Sequence, residues 1–80
     1  MNQITSLRDL RPGQTATVTQ LSLSGPIRRR LLDLGLIETT RVECVGQSPG
    51  GDPAAFLIRG AVIAIRAQDG RRIFVRPDPE

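Results

Sequence analysis

Polar and apolar residues alternate along Thr15-Ala-Thr-Val-Thr-Gln-Leu21, which puts Ala16 and Val18 on one face of a half-buried strand. The alternation returns in residues 40–45, with Val42 and Cys44 facing one way and Arg41 and Glu43 the other. Residues 55–59 and 62–66 are two more strands around Gly60-Ala61, read as a tight reversal, and residues 72–75 form the closing strand. Between the first two strands the period changes. Ser24-Gly25-Pro26 is a helix-start signal, with Ser or Gly as cap and Pro in the first turn. Ile27, Leu31 and Leu34 follow at helical spacing, and Leu32 widens the apolar stripe. Gly35 then fits the left-handed position just past the helix end. A helix of about two and a half turns does not hold alone and must dock on the sheet.

The segments between these elements are turn-forming. Residues 5–10 make a short turn that tucks Leu7 and Leu10 inward, and Pro12-Gly13 supplies a tight turn. Gln47-Ser-Pro-Gly-Gly-Asp-Pro53 is a loop, and Gln68-Asp69-Gly70 a further turn. Five short strands and one short helix between the first two imply an all-β meander. A flat sheet of that size leaves its edges and one apolar face exposed, whereas a small barrel capped by the helix removes both problems. Residues 1–76 are expected to form one domain, since a second core does not fit in 80 residues. Residues 77–80 have nothing to bury and are expected to fray.

Composition narrows the chemistry. The chain has no His, Trp, Tyr or Lys, so all eleven basic residues are Arg. Without His, the side chain best suited to proton transfer near neutral pH is missing, and the common Ser–His and Cys–His nucleophile pairs with it. Cys44 is the only Cys/His-type zinc ligand, and a phosphate-binding loop of the Walker kind needs a Lys. No catalytic residue, metal ligand set or cofactor is therefore expected, and the chain is not read as an enzyme. One cysteine forms no internal disulfide, which fits a reducing compartment. The first ten residues lack a basic start followed by an apolar block, and the charge-free stretch from Pro12 to Ile27 is too polar to span a bilayer. The expected location is the cytosol. The net charge of +3 comes with acidic residues spread along the whole chain, a mixed surface more than one dense basic face.

Four ordered motifs carry a family resemblance. Leu7-Arg8-Asp9-Leu10-Arg11-Pro12-Gly13-Gln14, then Arg29-Arg30-Leu31-Leu32-Asp33-Leu34-Gly35-Leu36-Ile37, then Gly51-Asp52-Pro53 with Arg59-Gly60, then Ile63-Ala64-Ile65-Arg66 resemble successive parts of the FeoA family, ferrous iron transport protein A. The likeness runs from about Thr5 to Val75. It implies an SH3-like five-stranded barrel in the cytosol, and a partner: the FeoB-type inner-membrane ferrous iron transporter with its cytosolic GTP-binding domain. Proteins of this kind are thought to bind and modulate that transporter. Similar modules also end some metal-dependent repressors, which makes a metal-sensing effector domain an alternative, beside a small basic nucleic-acid-binding barrel. The chain resembles the free-standing form. Contact with the membrane is expected only through the transporter, and the resemblance selects no oligomeric state. Where the family usually has Pro-Gly after the helix, Glu38-Thr39 stands here, so that turn is expected to be made without a residue that favours positive φ.

Arg28, Arg29 and Arg30 are the partner-binding candidates. On a helix they fan over about 200° and cannot all point into a core packed by Ile27, Leu31 and Leu34. Read as first-turn residues, they also oppose the helix dipole, a cost that an anionic partner would offset. The competing reading is a solvated face in which Asp33 pairs with Arg29 or Arg30. Gly50-Gly51-Asp52-Pro53 reads as a turn and not a phosphate loop, and Cys44 as a buried small hydrophobe. Phe56 and Phe74 are both expected in the core, which leaves no aromatic groove for a Pro-rich ligand. Iron enters through the family likeness, since no imidazole is available to hold it.

Overall fold

The computed structural model describes residues 3–79. Six strands, β1 (Thr5–Ser6), β2 (Thr15–Leu21), β3 (Arg41–Gln47), β4 (Ala54–Ile58), β5 (Ala61–Ile65) and β6 (Ile73–Pro77), form one sheet in the order β1-β6-β2-β3-β4-β5. Every neighbouring pair is antiparallel. Helix α1 (Gly25–Asp33) joins β2 to β3, and the four-residue α2 (Ala67–Gly70) joins β5 to β6. A 3-10 turn at Leu7–Asp9 follows β1. Oδ2 of Asp9 accepts hydrogen bonds from Thr5 Oγ1 at 2.7 Å and Ser6 Oγ at 3.0 Å, and these hold its carboxyl below the ordinary value.

Period-two alternation builds the core as expected. Ala16 and Val18 of β2, Val42 and Cys44 of β3, Phe56 and Ile58 of β4, Ile63 and Ile65 of β5, and Ile73 and Val75 of β6 all point inward and are buried. Leu7 and Leu10 close one side, and Leu31 and Leu36 bring α1 and its exit onto the same cluster. Register bends the sheet where strands slip by a residue, between Val18 and Gln20 on β2 and between Cys44 and Gly46 on β3. Such bulges raise local twist and curl a sheet toward closure.

Within the sheet and at the ends of its elements the structure departs from the sequence reading in several places. Thr5–Ser6 pairs with Val75 and Phe74, adding a two-residue sixth strand too short to show a period. The hairpin reverses at Arg59-Gly60 and not at Gly60-Ala61, because Ile58 pairs with Ala61. Positive φ at both central residues, Arg59 (φ 47) and Gly60 (φ 84), is the type I′ form of a two-residue reversal, which matches the twist of the flanking strands. Phe74 is only half-buried, since Ile73 and Val75 hold the inward positions of β6. Leu34, the C-cap residue that follows Asp33, is 38% exposed. Beyond Val75 the chain does not splay out through 77 and 78: β6 runs on to Pro77, Asp78 N–H donates to Thr15 O at 2.9 Å, and Asp78 Oδ2 pairs with Arg41 Nε at 3.0 Å. Glu80 lies outside the described residues.

The turn of residues 37–40 that leads into β3 keeps a left-handed residue although it contains no glycine or asparagine. Thr39 adopts φ 74, with its N–H on Val18 O at 2.7 Å and the Thr40 N–H on Ile37 O at 3.1 Å. Buried Thr40 secures the other side: its Oγ1 accepts from Ile37 N–H at 3.0 Å and donates to Gly35 O at 3.1 Å. A β-branched residue in this region costs about 1–2 kcal/mol, so surrounding bonds hold Thr39 against its preference. Thr39→Gly is expected to stabilise the domain by about 1 kcal/mol, after the greater unfolded-state freedom of Gly is subtracted. Thermal unfolding should rise by roughly 4–8 °C. A lowered melting temperature would show that the Thr39 side chain contributes more than its backbone strain costs.

Candidate docking surface

Helix α1 starts weakly and ends firmly. Ser24 is the N-cap residue but its side chain makes no capping bond, and no acidic residue lies in the first turn. At the other end Gly35 (φ 95) donates its N–H to Leu32 O at 3.0 Å, and Leu36 donates to Leu31 O at 2.9 Å. This is a Schellman closure, with Leu31 and Leu36 supplying the apolar contact that accompanies it. Arg59, from the β4–β5 reversal, donates Nε–H to Gly35 O at 3.2 Å and places its charge at the negative end of the helix. Sequence reading missed this cap, because nothing in the local pattern ties position 59 to position 35.

Arg28, Arg29 and Arg30 are all exposed. They occupy the middle of α1 and not its first turn, and Arg30 counts among the basic residues of the last turn, where the helix dipole favours a cation. The helix therefore imposes less electrostatic cost than the sequence reading assigned. Among the described residues the ion pair formed is Arg41–Asp78, so Asp33 neutralises neither Arg29 nor Arg30.

The run does not act as one patch. Arg28 and Arg29 flank Leu32 and Asp33 in an open depression of 470 Å³ that begins at Gly25. Arg30 turns the other way, into a groove between α1 and strand β5. Leu34 and Ile37, 38% and 43% exposed, continue the surface past the helix end. Cationic side chains beside exposed aliphatic ones suit a partner that offers carboxylates around an apolar centre.

The other candidates fall out of the chemistry. Cys44 is fully buried; burial pushes its thiol above the ordinary value, and its contact at 3.8 Å is with Gly46 O. Asp52 is engaged in structure, its Oδ1 accepting the Ala67 N–H at 2.8 Å at the start of α2. Among the described residues no group of three or more His, Cys, Asp and Glu is placed to hold a metal ion. No helix in that span is long and apolar enough to cross a membrane.

The sequence pattern of the FeoA domain family matches residues 5–77. This chain belongs to the FeoA domain family. Solved structures agree. The FeoA protein of Chlorobium tepidum is 30% identical with a TM-score of 0.85, over 90% of this chain and 69% of that one. A FeoA-like protein of Clostridium acetobutylicum is 25% identical with a TM-score of 0.86, over 100% and 93% of the two chains. The zinc-complexed FeoA of Stenotrophomonas maltophilia, described as a prokaryotic SH3 domain protein, is 28% identical with a TM-score of 0.76 over 89% and 88%. No curated protein matches the chain. The FeoA fold here is thus a small SH3-like barrel, with α1 between its second and third strands.

Proposed function

We propose that this FeoA protein is a cytosolic accessory factor of ferrous iron uptake that binds and modulates the FeoB-type GTP-binding membrane transporter, and that it catalyses no reaction itself. Family membership supports the pathway. The Stenotrophomonas maltophilia relative has been put forward as a ferrous iron transport activating factor. The observation that carries the docking role is the helix. Arg28, Arg29 and Arg30 stand exposed without a carboxylate partner among the described residues, on the same helix-to-turn segment as exposed Leu34 and Ile37. Iron is the transporter's cargo in this reading and needs no ligand from the present chain.

Modulation requires that the protein bind one transporter state more tightly than another, since equal affinity shifts no equilibrium. The test is titration against the transporter's cytosolic GTP-binding domain, empty and with each guanine nucleotide bound. State-dependent affinity supports modulation; equal affinity leaves only a scaffold. Replacing Arg28, Arg29 and Arg30 together by Gln should weaken binding by about tenfold or more, with a steep loss of salt dependence. The fold should survive, because none of the three contributes to the buried core. Unchanged affinity would return the three arginines to a merely solvated face.

A further inference from the structure

Strand β5 ends the sheet, so one of its edges has no partner among the described residues. The reversal pairs Ile58 with Ala61, Leu57 with Val62, Phe56 with Ile63 and Ala55 with Ala64. In an antiparallel hairpin, successive residues aim both backbone groups at the partner strand, then both away from it. With Ile58 and Ala61 closing the turn, Ala61, Ile63 and Ile65 bond to β4. Val62 and Ala64 direct their N–H and C=O groups to the open edge. The strand is Ala-Val-Ile-Ala-Ile, with no charge and no proline, and such an edge is ordinarily blunted or covered. The opposite terminal strand, β1, is two residues long and offers no comparable ladder.

This edge forms one wall of a groove of 330 Å³. Ile27, Arg30 and Leu31 of α1 line the other side, with Arg66 and Asp69 beyond the end of β5. An extended segment laid along β5 would pair with Val62 and Ala64 and place alternate side chains against Ile27 and Leu31. Its remaining side chains would lie beside Val62, which is 64% exposed. Charge selects the occupant. Arg30 and Arg66 line the groove against Asp69 alone, while Arg28 and Arg29 lie in the separate depression on the other side of α1. A second copy of this chain, joined edge to edge, would bring Arg30 from both molecules to one seam, where like charges repel.

We infer that the open edge of β5 and the facing side of α1 take an extended, acidic segment of a partner protein as an added strand. The inference rests on α1 being a docking element, but not on the partner being an iron transporter. Its test uses the intact protein and a short peptide of alternating Val and Glu, followed by amide NMR and hydrogen exchange. Exchange at Val62 and Ala64 should slow by about tenfold or more at saturation, with shifts confined to β5 and α1. Affinity should fall by about tenfold when the edge-facing peptide amides are N-methylated, and similarly when Lys replaces Glu. Ala64→Pro removes an N–H that the fold itself does not use and should abolish binding. If that variant does not fold, the N-methylated peptide makes the same comparison on unaltered protein. The inference is overturned by equal affinity for the Glu and Lys peptides, or by unprotected Val62 and Ala64 amides at millimolar peptide. It is overturned equally by a dimer in which those amides are already protected without peptide. Transporter binding could fail with peptide binding intact, so the two readings fall separately.

Discussion

Phe56→Ala should leave the domain largely unfolded at 37 °C. Phe56 is the largest fully buried side chain, 1% exposed, in the middle of β4 with Cys44 of β3 on one side and Ile63 of β5 on the other. Truncating a buried Phe costs about 3–5 kcal/mol through lost transfer energy and the cavity left behind. A domain of this length has a total stability of roughly 4–12 kcal/mol, and a small core puts it toward the lower end. The single change therefore removes a large share of what holds the fold. Phe74→Ala is the internal comparison, because the same chemical change on the half-buried outer face of β6 should cost only about 1–1.5 kcal/mol. Urea unfolding of the two variants decides the matter. Equal losses would mean that inward and outward faces are misassigned on one of the two strands.

That contrast also shows what the residues alone can convey. Alternation read off β2 and β3 assigned Ala16, Val18, Val42 and Cys44 to the interior, and all four are buried. Phe74 went wrong because its aromatic character outweighed its position; with Ile73 and Val75 on either side, parity puts it outward. Leu34 sits at helical spacing from Leu31, but spacing does not reveal that α1 stops one residue earlier. The arginine run was legible as a candidate, since three adjacent cations cannot all share a buried face. Its division into Arg28 and Arg29 on one side and Arg30 on the β5 side depends on how α1 is rotated against the sheet. That rotation is set by Leu31 and Leu36 reaching a core built from distant strands. Thr39 was the least legible of all. Its left-handed backbone is imposed by Val18 O and Thr40, and its own propensity points the other way.

Gly35→Ala is expected to cost about 2–3 kcal/mol, and the size of the loss should depend on Arg59. Two separate penalties meet at this residue. A side chain at φ 95 is strained by about 1–2 kcal/mol wherever it occurs. A Cβ at Gly35 would also lie 2.7 Å from Cδ of Arg59, forcing that side chain to move. Moving it breaks the Arg59 Nε bond to Gly35 O and withdraws a cation from the end of α1. The Thr40 hydroxyl still satisfies the same carbonyl, so the lost bond should contribute about 1 kcal/mol and not the larger penalty of an orphaned group. With Arg59 already changed to Ala, the second penalty has nothing left to act on. Gly35→Ala should then cost only the backbone strain, giving a coupling of about 1 kcal/mol between two positions far apart in sequence. Additive losses in that double-mutant cycle would show that Arg59 swings aside freely and does not cap α1. The cycle bears on docking too, because the same Arg59 contact helps hold the end of the helix that presents Leu34 and Ile37. Loosening it should weaken partner binding even though neither Gly35 nor Arg59 belongs to the arginine run.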